Sequence, residues 1–161
     1  MTAQPRPLIE TRVSRIHGRG VFAARRIPSG TRIIEYTGEP LTEAEVDARY
    51  DDAAMDQPHT FLFMVADGRY VDAARNGNDA RFINHSCVPN CEIDIVKGRI
   101  YVRALRTIER GTELTYDYAL EVEEDPEPER RELFACRCGS KRCRGTMLDL
   151  EPDGTSKRRA S

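Results

Sequence analysis

Residues 77–90 read GNDARFINHSCVPN, and within them residues 81–90 form the densest cluster of polar side chains beside apolar ones in the chain. Taken alone, His85 fits a hydrogen-bonded histidine in a core, and Asn84 and Asn90 fit turn-forming residues. Ser86 has no obvious general-base partner and lies in no G-x-S-x-G elbow, which argues against a hydrolase triad. The stretch is therefore either a structural turn or part of a binding site, and the sequence around it must decide.

Short strand patterns flank this stretch on both sides. The apolar run 61–66 followed by Asp67-Gly68 is typical of a hairpin with a type I′ turn. Beyond the stretch, residues 93–104 alternate apolar and polar around Lys97-Gly98 and predict a second hairpin. A capping-box pattern at Thr42 predicts one short helix over roughly 43–54. No spacing is typical of βαβ units, so the sequence predicts a mostly β domain.

Three cysteines crowd the C-terminal end in the pattern Cys136-x-Cys138-x4-Cys143. Such closely spaced thiols suit a soft tetrahedral metal, and Zn²⁺ prefers four thiolate or imidazole ligands. The fourth ligand must come from a distance, from Cys87 or Cys91. The alternative is a set of reduced thiols without a function. Because an odd number of cysteines in an apparently cytosolic chain disfavours a disulfide framework, we predict one structural zinc ion.

Two further motifs carry candidate binding residues. The turn His17-Gly18-Arg19-Gly20 superficially matches a dinucleotide fingerprint, but Pro28 and Gly30 interrupt the helix that should follow. It therefore predicts a tight turn between strands, or one whose glycines let backbone amides approach a ligand. Further along, Tyr116 and Tyr118 fall on one face of a strand. This pair either packs amphipathically or flanks a site in which hydroxyl groups position a substrate.

Composition excludes several classes of protein. The chain has 161 residues and a formal net charge of −2, with a pI near 6.0. General nucleic-acid binding favours a strongly basic domain, so no direct nucleic-acid partner is predicted. The longest apolar run, 61–66, is far shorter than the ~20 residues of a membrane span, and the N-terminus lacks the apolar segment of a secretory signal. We therefore predict a cytoplasmic protein, and the scarcity of Lys beside Arg favours a bacterial source.

The two ends of the chain are predicted to be less ordered than its middle. Residues 1–10 are predicted to form a flexible arm and residues 151–161 a disordered tail. Residues 121–131 are predicted to form an exposed acidic linker, since 121–129 hold six acids and two prolines. These acids either attract a basic substrate tail or form an ordinary solvated face.

Taken together, the motifs resemble those of the SET-domain protein lysine methyltransferases. The resemblance runs from about Val13 to Met147 in the family's order: HGRG, EYTGE, GNDARFINHSCVPN, GTELTYDY and the C-x-C-x4-C of a post-SET zinc segment. It implies the SET-domain (β-clip) fold, mostly β with short sheets, few short helices and a C-terminal pseudoknot. It also implies a SET domain over 11–120 and a post-SET segment over 132–150.

The resemblance further implies roles for individual residues. S-adenosylmethionine is the implied cofactor, in a pocket lined by His17, Gly18, Arg19, Gly20, Phe61, Asn84 and the backbone of His85. Phe61 departs from the family, because many relatives carry Tyr at that place. The implied lysine channel has Tyr118 as the principal catalytic residue, Tyr36 as a wall and Tyr116 as the selector of methylation state. The implied zinc ligands are Cys87, Cys136, Cys138 and Cys143, which leaves Cys91 as the odd thiol.

The resemblance implies transfer of a methyl group from S-adenosylmethionine to a lysine side chain of a protein or peptide, mainly to the mono- or dimethylated state. The alternative is a catalytically silent, zinc-closed module that binds a peptide or the cofactor. No cysteine-rich region precedes the domain and the insert around 43–60 is short, which disfavours a histone substrate. The sequence leaves open the oligomeric state and whether the target belongs to the protein's own cell or, after delivery to a host nucleus, to chromatin.

Overall fold

The computed structural model describes residues 6–50, 58, 60–122 and 124–157. In this part of the chain the strands are β1 (Ile9–Val13), β2 (Arg19–Ala23), β3 (Arg32–Tyr36), β4 (Glu39–Thr42), β5 (Leu62–Ala66), β6 (Arg69–Asp72), β7 (Asn84–His85), β8 (Cys91–Val96), β9 (Arg99–Ala104) and β10 (Thr115–Tyr116). The helices are α1 (Glu43–Arg49) and α2 (Pro128–Arg131), with 3-10 turns at Asp79–Phe82 and Glu132–Phe134.

The strands form small sheets in the orders β1-β2, β7-β10, β3-β9-β8 and β4-β6-β5. Only β7 and β10 run parallel among these described pairs. The prediction of a mostly β fold with short sheets and few short helices is confirmed. The pseudoknot stays a prediction.

The two predicted hairpins differ in their turns. Between β8 and β9, φ is 50° at Lys97 and 75° at Gly98, and positive φ at both central residues is the type I′ geometry. The prediction of the same turn type for Asp67-Gly68 is wrong. In that pair only Gly68 has positive φ, at 66°. The β5–β6 register shifts between Met64 and Ala66. A bulge increases the local twist, which lets the chain reverse without a second left-handed residue.

Helix α1 begins at the predicted capping box. The Thr42 hydroxyl accepts a hydrogen bond from the Glu45 N–H, and the Glu45 carboxylate accepts one from the Thr42 N–H at 2.8 Å. The helix ends at Arg49, earlier than the predicted 54, because Tyr50 is extended; residues 51–54 lie outside the described residues. Arg49 and Tyr50 donate hydrogen bonds of 2.9 and 2.6 Å to the buried carboxylate of Asp72, which fixes the end of α1 to β6.

The main core lies where the β3-β9-β8 sheet meets the β1-β2 hairpin and the segment before β10. Its fully buried members include Val21, Ile27, Ile83, Ile100, Val102, Ile108 and Leu114. A smaller cluster of Leu41, Val46 and Tyr70 lies beneath α1. None of the described helices is long and apolar enough to cross a membrane.

The ends of the chain depart from the expectation of disorder. Residues 9 and 10 belong to β1, so only residues 1–5, which lie outside the described residues, and 6–8 precede the first strand. The acidic linker contains α2, and its Leu120 border forms a bridge with Leu148. In the tail, Leu150 bridges Ser156, and residues 158–161 lie outside the described residues. Backbone hydrogen bonds, which composition does not reveal, order residues 151–157.

Candidate active site and metal centre

The site is organised by a short parallel pairing between two segments that are distant in sequence. Strands β7 and β10 pair Asn84 with Thr115 and His85 with Tyr116. Asn90 links the same segments, because its Nδ2 donates to the Glu113 carbonyl at 2.8 Å and its Oδ1 accepts from the Thr115 N–H at 2.9 Å. Asn90 is thus more than a turn former. This pairing brings the central motif next to the tyrosines of GTELTYDY.

Asn84 connects the β7–β10 pairing to the glycine turn. Its buried Nδ2 donates to the carbonyls of His17 and Arg19 at 3.2 and 2.9 Å, and to Glu113 Oε1 at 2.9 Å. A Cβ at position 20 would lie 2.3 Å from the same carboxylate oxygen, so the close approach requires Gly20. The turn lies between β1 and β2, as predicted. The side-chain amide of Asn84 links this residue to His17 and Arg19, so three of the predicted cofactor residues are joined.

The predicted channel tyrosines lie together. The ring centres of Tyr116 and Tyr118 are 4.9 Å apart, and Phe63 lies 6.4 Å from Tyr116 and 5.4 Å from Tyr36. The Tyr118 hydroxyl donates to the Ile83 carbonyl at 2.6 Å, and the Tyr36 hydroxyl donates to the Phe61 carbonyl at 3.0 Å. These two hydroxyls therefore donate their protons to backbone carbonyls, and their oxygen lone pairs remain to accept hydrogen bonds.

Tyr116 differs from its two neighbours. Its side chain is 4% exposed, and its hydroxyl has no hydrogen-bond partner in the described part of the chain. Burial raises the pKa of Tyr36, Tyr116 and Tyr118, so all three are neutral phenols near neutral pH. Neutral phenols donate and accept hydrogen bonds but do not act as strong bases, so the site positions groups rather than removing protons.

His85 joins the tyrosines to the cysteine cluster. Its Nδ1 accepts a hydrogen bond from the Tyr118 N–H at 3.0 Å, and its Nε2 lies 3.4 Å from Cys87 Sγ. Burial lowers the pKa of His85 to about 4, so the ring is neutral and carries its proton on Nε2. That proton points at the Cys87 sulfur, while burial raises the pKa of the Cys87 thiol.

The four predicted zinc ligands converge. The sulfur atoms of Cys87, Cys136, Cys138 and Cys143 all lie within 4.8 Å of one another. Cys87 Sγ is 3.6 Å from the sulfur of Cys136 and 3.9 Å from that of Cys143. A zinc–sulfur bond of about 2.3 Å places tetrahedral sulfurs about 3.8 Å apart, so this set fits a zinc site made of four thiolates. Cys91 is 1% exposed in the core and is not part of this cluster, and burial raises its pKa to about 12, so its thiol is protonated near neutral pH.

An arginine-rich cluster lies beside the glycine turn. The guanidinium carbons of Arg19 and Arg81 lie 4.6 and 4.7 Å from the centre of the Phe82 ring, which Phe61 meets edge-on at 6.4 Å. The buried Nε of Arg81 has no hydrogen-bond partner among the described residues. No described carboxylate forms a salt bridge with either guanidinium. A bound anionic group would satisfy this donor. Arg81 carries no signal in the sequence, because only the fold buries its Nε.

A cavity of about 550 Å³ opens onto the tyrosines. Tyr116, Tyr118 and Phe63 line its inner end, and α1 lines one side. Residues 120–122 and 124–127 line the cavity as well, together with Phe134. Acidic residues on the cavity lining are Asp47, Glu121, Glu124, Asp125 and Glu127. The cavity therefore combines an apolar, hydroxyl-bearing end with a largely acidic rim.

Comparison with known proteins agrees with this geometry. The sequence model of one family, described as SET domain, matches residues 18–119. Trithorax of Drosophila melanogaster, a histone-lysine N-methyltransferase, is 42% identical over an alignment of 138 residues that covers 81% of this chain and 3% of that protein. Human histone-lysine N-methyltransferase 2B is 43% identical over 138 residues, and the alignment covers 81% of this chain and 5% of that protein. The H3 lysine-4 specific histone-lysine N-methyltransferase of Schizosaccharomyces pombe is 40% identical over 139 residues, and the alignment covers 83% of this chain and 14% of that protein.

The chain thus spans a small fraction of the length of these relatives. The matched residues 18–119 contain the β7–β10 pairing, Asn84 and the channel tyrosines. The cysteine cluster beyond them is compatible with a post-SET zinc segment. By the sequence match and by the arrangement of its site, the chain belongs to the SET-domain family.

Proposed function

We propose that this chain is a protein-lysine N-methyltransferase that uses S-adenosylmethionine. The observation that carries the proposal is the 550 Å³ cavity that ends at the neutral phenols of Tyr116 and Tyr118 beside the β7–β10 pairing. Burial penalises the charged form of an amine, so such an end favours neutral lysine over the ammonium form. Only the neutral amine has the lone pair needed to attack a methyl group.

The residues around the glycine turn fit this cofactor. S-adenosylmethionine carries a carboxylate, which suits the Arg81 Nε, without a hydrogen-bond partner among the described residues, and the guanidinium of Arg19, which stacks on Phe82 beside it. We propose that it is held by the residues that the resemblance implies: His17, Gly18, Arg19, Gly20, Phe61, Asn84 and the backbone of His85. When bound, it supplies a methyl group that is activated by a positively charged sulfur.

Within the channel, the proposed roles follow from the direction of each hydroxyl. Tyr118 is the principal catalytic residue, because its proton is bound to Ile83 and its lone pairs remain to orient the amine and polarised C–H groups. Tyr36 is a channel wall, held in the same way by Phe61. Holding reacting atoms in line contributes up to ~7–11 kcal/mol, so this site needs no acid–base dyad.

Tyr116 is the proposed selector of the product. Its hydroxyl, which has no hydrogen-bond partner among the described residues, is suited to hold an ordered water in the volume that a further methyl group would need. The expected products are mainly monomethyl-lysine with some dimethyl-lysine.

The proposed metal is one structural Zn²⁺ ion on Cys87, Cys136, Cys138 and Cys143. Four converging thiols support a closed tetrahedral shell, which is typical of structural rather than catalytic zinc. Such an ion would fasten the post-SET segment to the loop after β7. Cys91 stays free in this proposal.

The proposed substrate is a basic protein tail. The acidic rim of the cavity supports this choice, since acids at a binding surface attract positively charged segments. The names of the relatives favour a histone, and the fungal ones favour lysine 4 of histone H3. A histone target would require the protein to reach chromatin, which favours delivery to a nucleus over action confined to the cytoplasm.

Incubation of the purified protein with labelled S-adenosylmethionine and a histone H3 tail peptide tests the proposal. Label on lysine, confirmed by mass spectrometry and absent after Tyr118→Phe, would support it. Cofactor binding without any transfer, to this peptide or to lysate proteins, would instead favour the silent binding module.

A further inference from the structure

Residues 120–122 and 124–127 line the proposed substrate cavity, and we call these described residues the cavity wall. Its described residues belong to no named strand. At its start, the Leu120 N–H donates to the Met147 carbonyl at 3.1 Å, and Asp149 donates back to the Leu120 carbonyl at 2.9 Å. The rest of the wall needs a different support.

That support comes from a C-terminal hairpin formed by residues 149–157. The Lys157 N–H donates to the Asp149 carbonyl at 2.8 Å, and the Glu151 N–H donates to the Thr155 carbonyl at 2.8 Å. The ammonium of Lys157 also lies 2.7 Å from a carboxylate oxygen of Asp149. These bonds make residues 149–157 a closed unit that follows the cysteine cluster.

The hairpin binds the cavity wall through hydrogen bonds of Ser156. Its hydroxyl and its N–H both donate to Asp125 Oδ1, at 2.6 and 3.3 Å, and Ser156 is 6% exposed. Arg131 donates to the other oxygen of Asp125 at 2.9 Å. The Ser156 hydroxyl also holds the pKa of Asp125 below its ordinary value. Nearby, the Val122 N–H donates to the Lys157 carbonyl at 3.2 Å.

These contacts distinguish Asp125 from the other acidic residues that line the cavity. Both of its oxygens are occupied by groups of this chain, so its charge is used within the protein. Glu121 and Glu127 line the cavity as well, and neither is held by two such side-chain bonds from the described residues. The function of Asp125 is therefore better explained by where it holds the wall than by contact with a substrate.

We propose that Ser156 and Asp125 are positioning residues that hold the cavity wall in the conformation that binds the peptide substrate. The proposal rests on the proposed methyltransferase function. A wall that is ordered before binding spares the complex the entropy of ordering it afterwards. Loss of the bond should therefore weaken peptide binding and leave the cofactor turn and the tyrosines, which the bond does not touch, unchanged.

The test is a double-mutant cycle with Ser156→Ala, Asp125→Ala and the two combined. KM for a peptide with one lysine flanked by arginines is expected to rise about five- to tenfold in each single variant, while kcat and cofactor affinity stay within about twofold; a tenfold effect corresponds to ~1.4 kcal/mol. The double variant should resemble Asp125→Ala, because that change already removes the bond that Ser156→Ala breaks. Glu151→Gln, an exposed change in the same hairpin, is the control and should leave KM unchanged.

Asp125→Asn keeps the shape of the side chain and a weaker acceptor, so its KM should fall between those of the unaltered protein and Asp125→Ala. An unchanged KM in Ser156→Ala, or effects that add in the double variant, would overturn the proposal.

Hydrogen exchange separates this inference from the proposed function. If the unaltered protein transfers no methyl group, the function fails, but Ser156→Ala should still speed exchange at residues 120–127 and leave β1 and β2 as they were. Equal exchange of the wall in both proteins would overturn the positioning role. If Ser156→Ala does not fold, the same comparison is made with Asp125→Asn.

Discussion

Replacing Tyr116 by phenylalanine should extend the product toward trimethyl-lysine without disturbing the fold. The Tyr116 hydroxyl lies at the inner end of the cavity and has no partner in the described part of the chain. Water is therefore the partner it needs, and a water anchored there takes up volume of about 30 Å³ that a methylated amine would use. Tyr116→Phe would leave that water without its anchor.

The structure sets the size of both effects. Tyr116→Phe breaks no hydrogen bond to a described residue, so the free energy of unfolding should change by less than about 0.5 kcal/mol. Loss of one water bond of about 0.5–1.5 kcal/mol eases the displacement of that water. Because ~1.4 kcal/mol corresponds to a factor of ten, the second and third transfers should each speed up about two- to tenfold. The first transfer needs no displacement and should stay within about twofold.

Mass spectrometry of a single-lysine peptide over time measures the ratio of mono-, di- and trimethyl products. Tyr118→Phe is the matched control, because it removes the same atom but breaks the 2.6 Å bond to Ile83. It should slow every transfer and lower the free energy of unfolding by about 0.5–1.5 kcal/mol, as urea denaturation would report.

Two results would refute this reasoning. Abundant trimethyl-lysine from the unaltered protein would mean that the Tyr116 hydroxyl does not limit the product. An unchanged product ratio in Tyr116→Phe, with the cofactor still bound, would mean that the space around the amine is set elsewhere.

Three further predictions concern the metal, the glycine turn and the buried phenols. Cys87→Ser should lose zinc and activity together, whereas Cys91→Ser should keep both, as metal analysis and methyl transfer would show. Asn84→Ala should weaken cofactor binding at least tenfold in calorimetry, because it frees the carbonyls of His17 and Arg19 and leaves Glu113 without its amide partner. Burial raises the pKa of Tyr118 and Tyr36 in the folded state, whereas unfolded tyrosine ionises near pH 10. Their contribution to stability is therefore fully present below about pH 10 and is lost as the pH rises further, which urea unfolding at increasing pH, followed by phenolate absorbance, would detect.

The local parts of the fold were predictable because their causes are local. The capping box at Thr42 starts α1 with the predicted pair of bonds, and alternation around Lys97-Gly98 produced the β8–β9 hairpin. The turn at Asp67-Gly68 was predicted wrongly for a physical reason. Turn residues specify the local φ, but a bulge two residues earlier changes the twist that the turn must match.

The ligand set of the cysteine cluster shows where reasoning from spacing alone ends. Cys87 and Cys91 lie four positions apart, and either could reach a distant C-terminal segment. The distinction lies in the sheet, where Cys91 is the first residue of β8 and is buried in the core, while Cys87 lies in the loop after β7. Only the family resemblance selected Cys87, and the geometry brings that residue to the cluster.

Residues that act across long sequence distances were the ones missed. The Ser156–Asp125 bond spans 31 positions, and an acidic, proline-containing stretch followed by a polar tail is typical of disorder. Hydrogen bonds from backbone N–H and hydroxyl groups order the described residues of both segments once the tail folds back, despite this composition. Arg81 likewise looked ordinary in sequence, because a buried nitrogen without a partner is a property of the fold.

The β7–β10 pairing makes the metal cluster and the channel parts of one structure. Two paired residues on each strand are too few to be stable alone, so the pairing depends on what fastens its ends. Asn84 fastens it to the glycine turn, and His85 fastens it to Cys87 on one side and to the Tyr118 N–H, at 3.0 Å, on the other. A metal bound by Cys87 would therefore restrain the imidazole that holds the backbone of Tyr118, the proposed catalytic residue. Removing that metal should disorder the channel as well as the C-terminal segment, even though no cysteine lines the cavity in the described part of the chain.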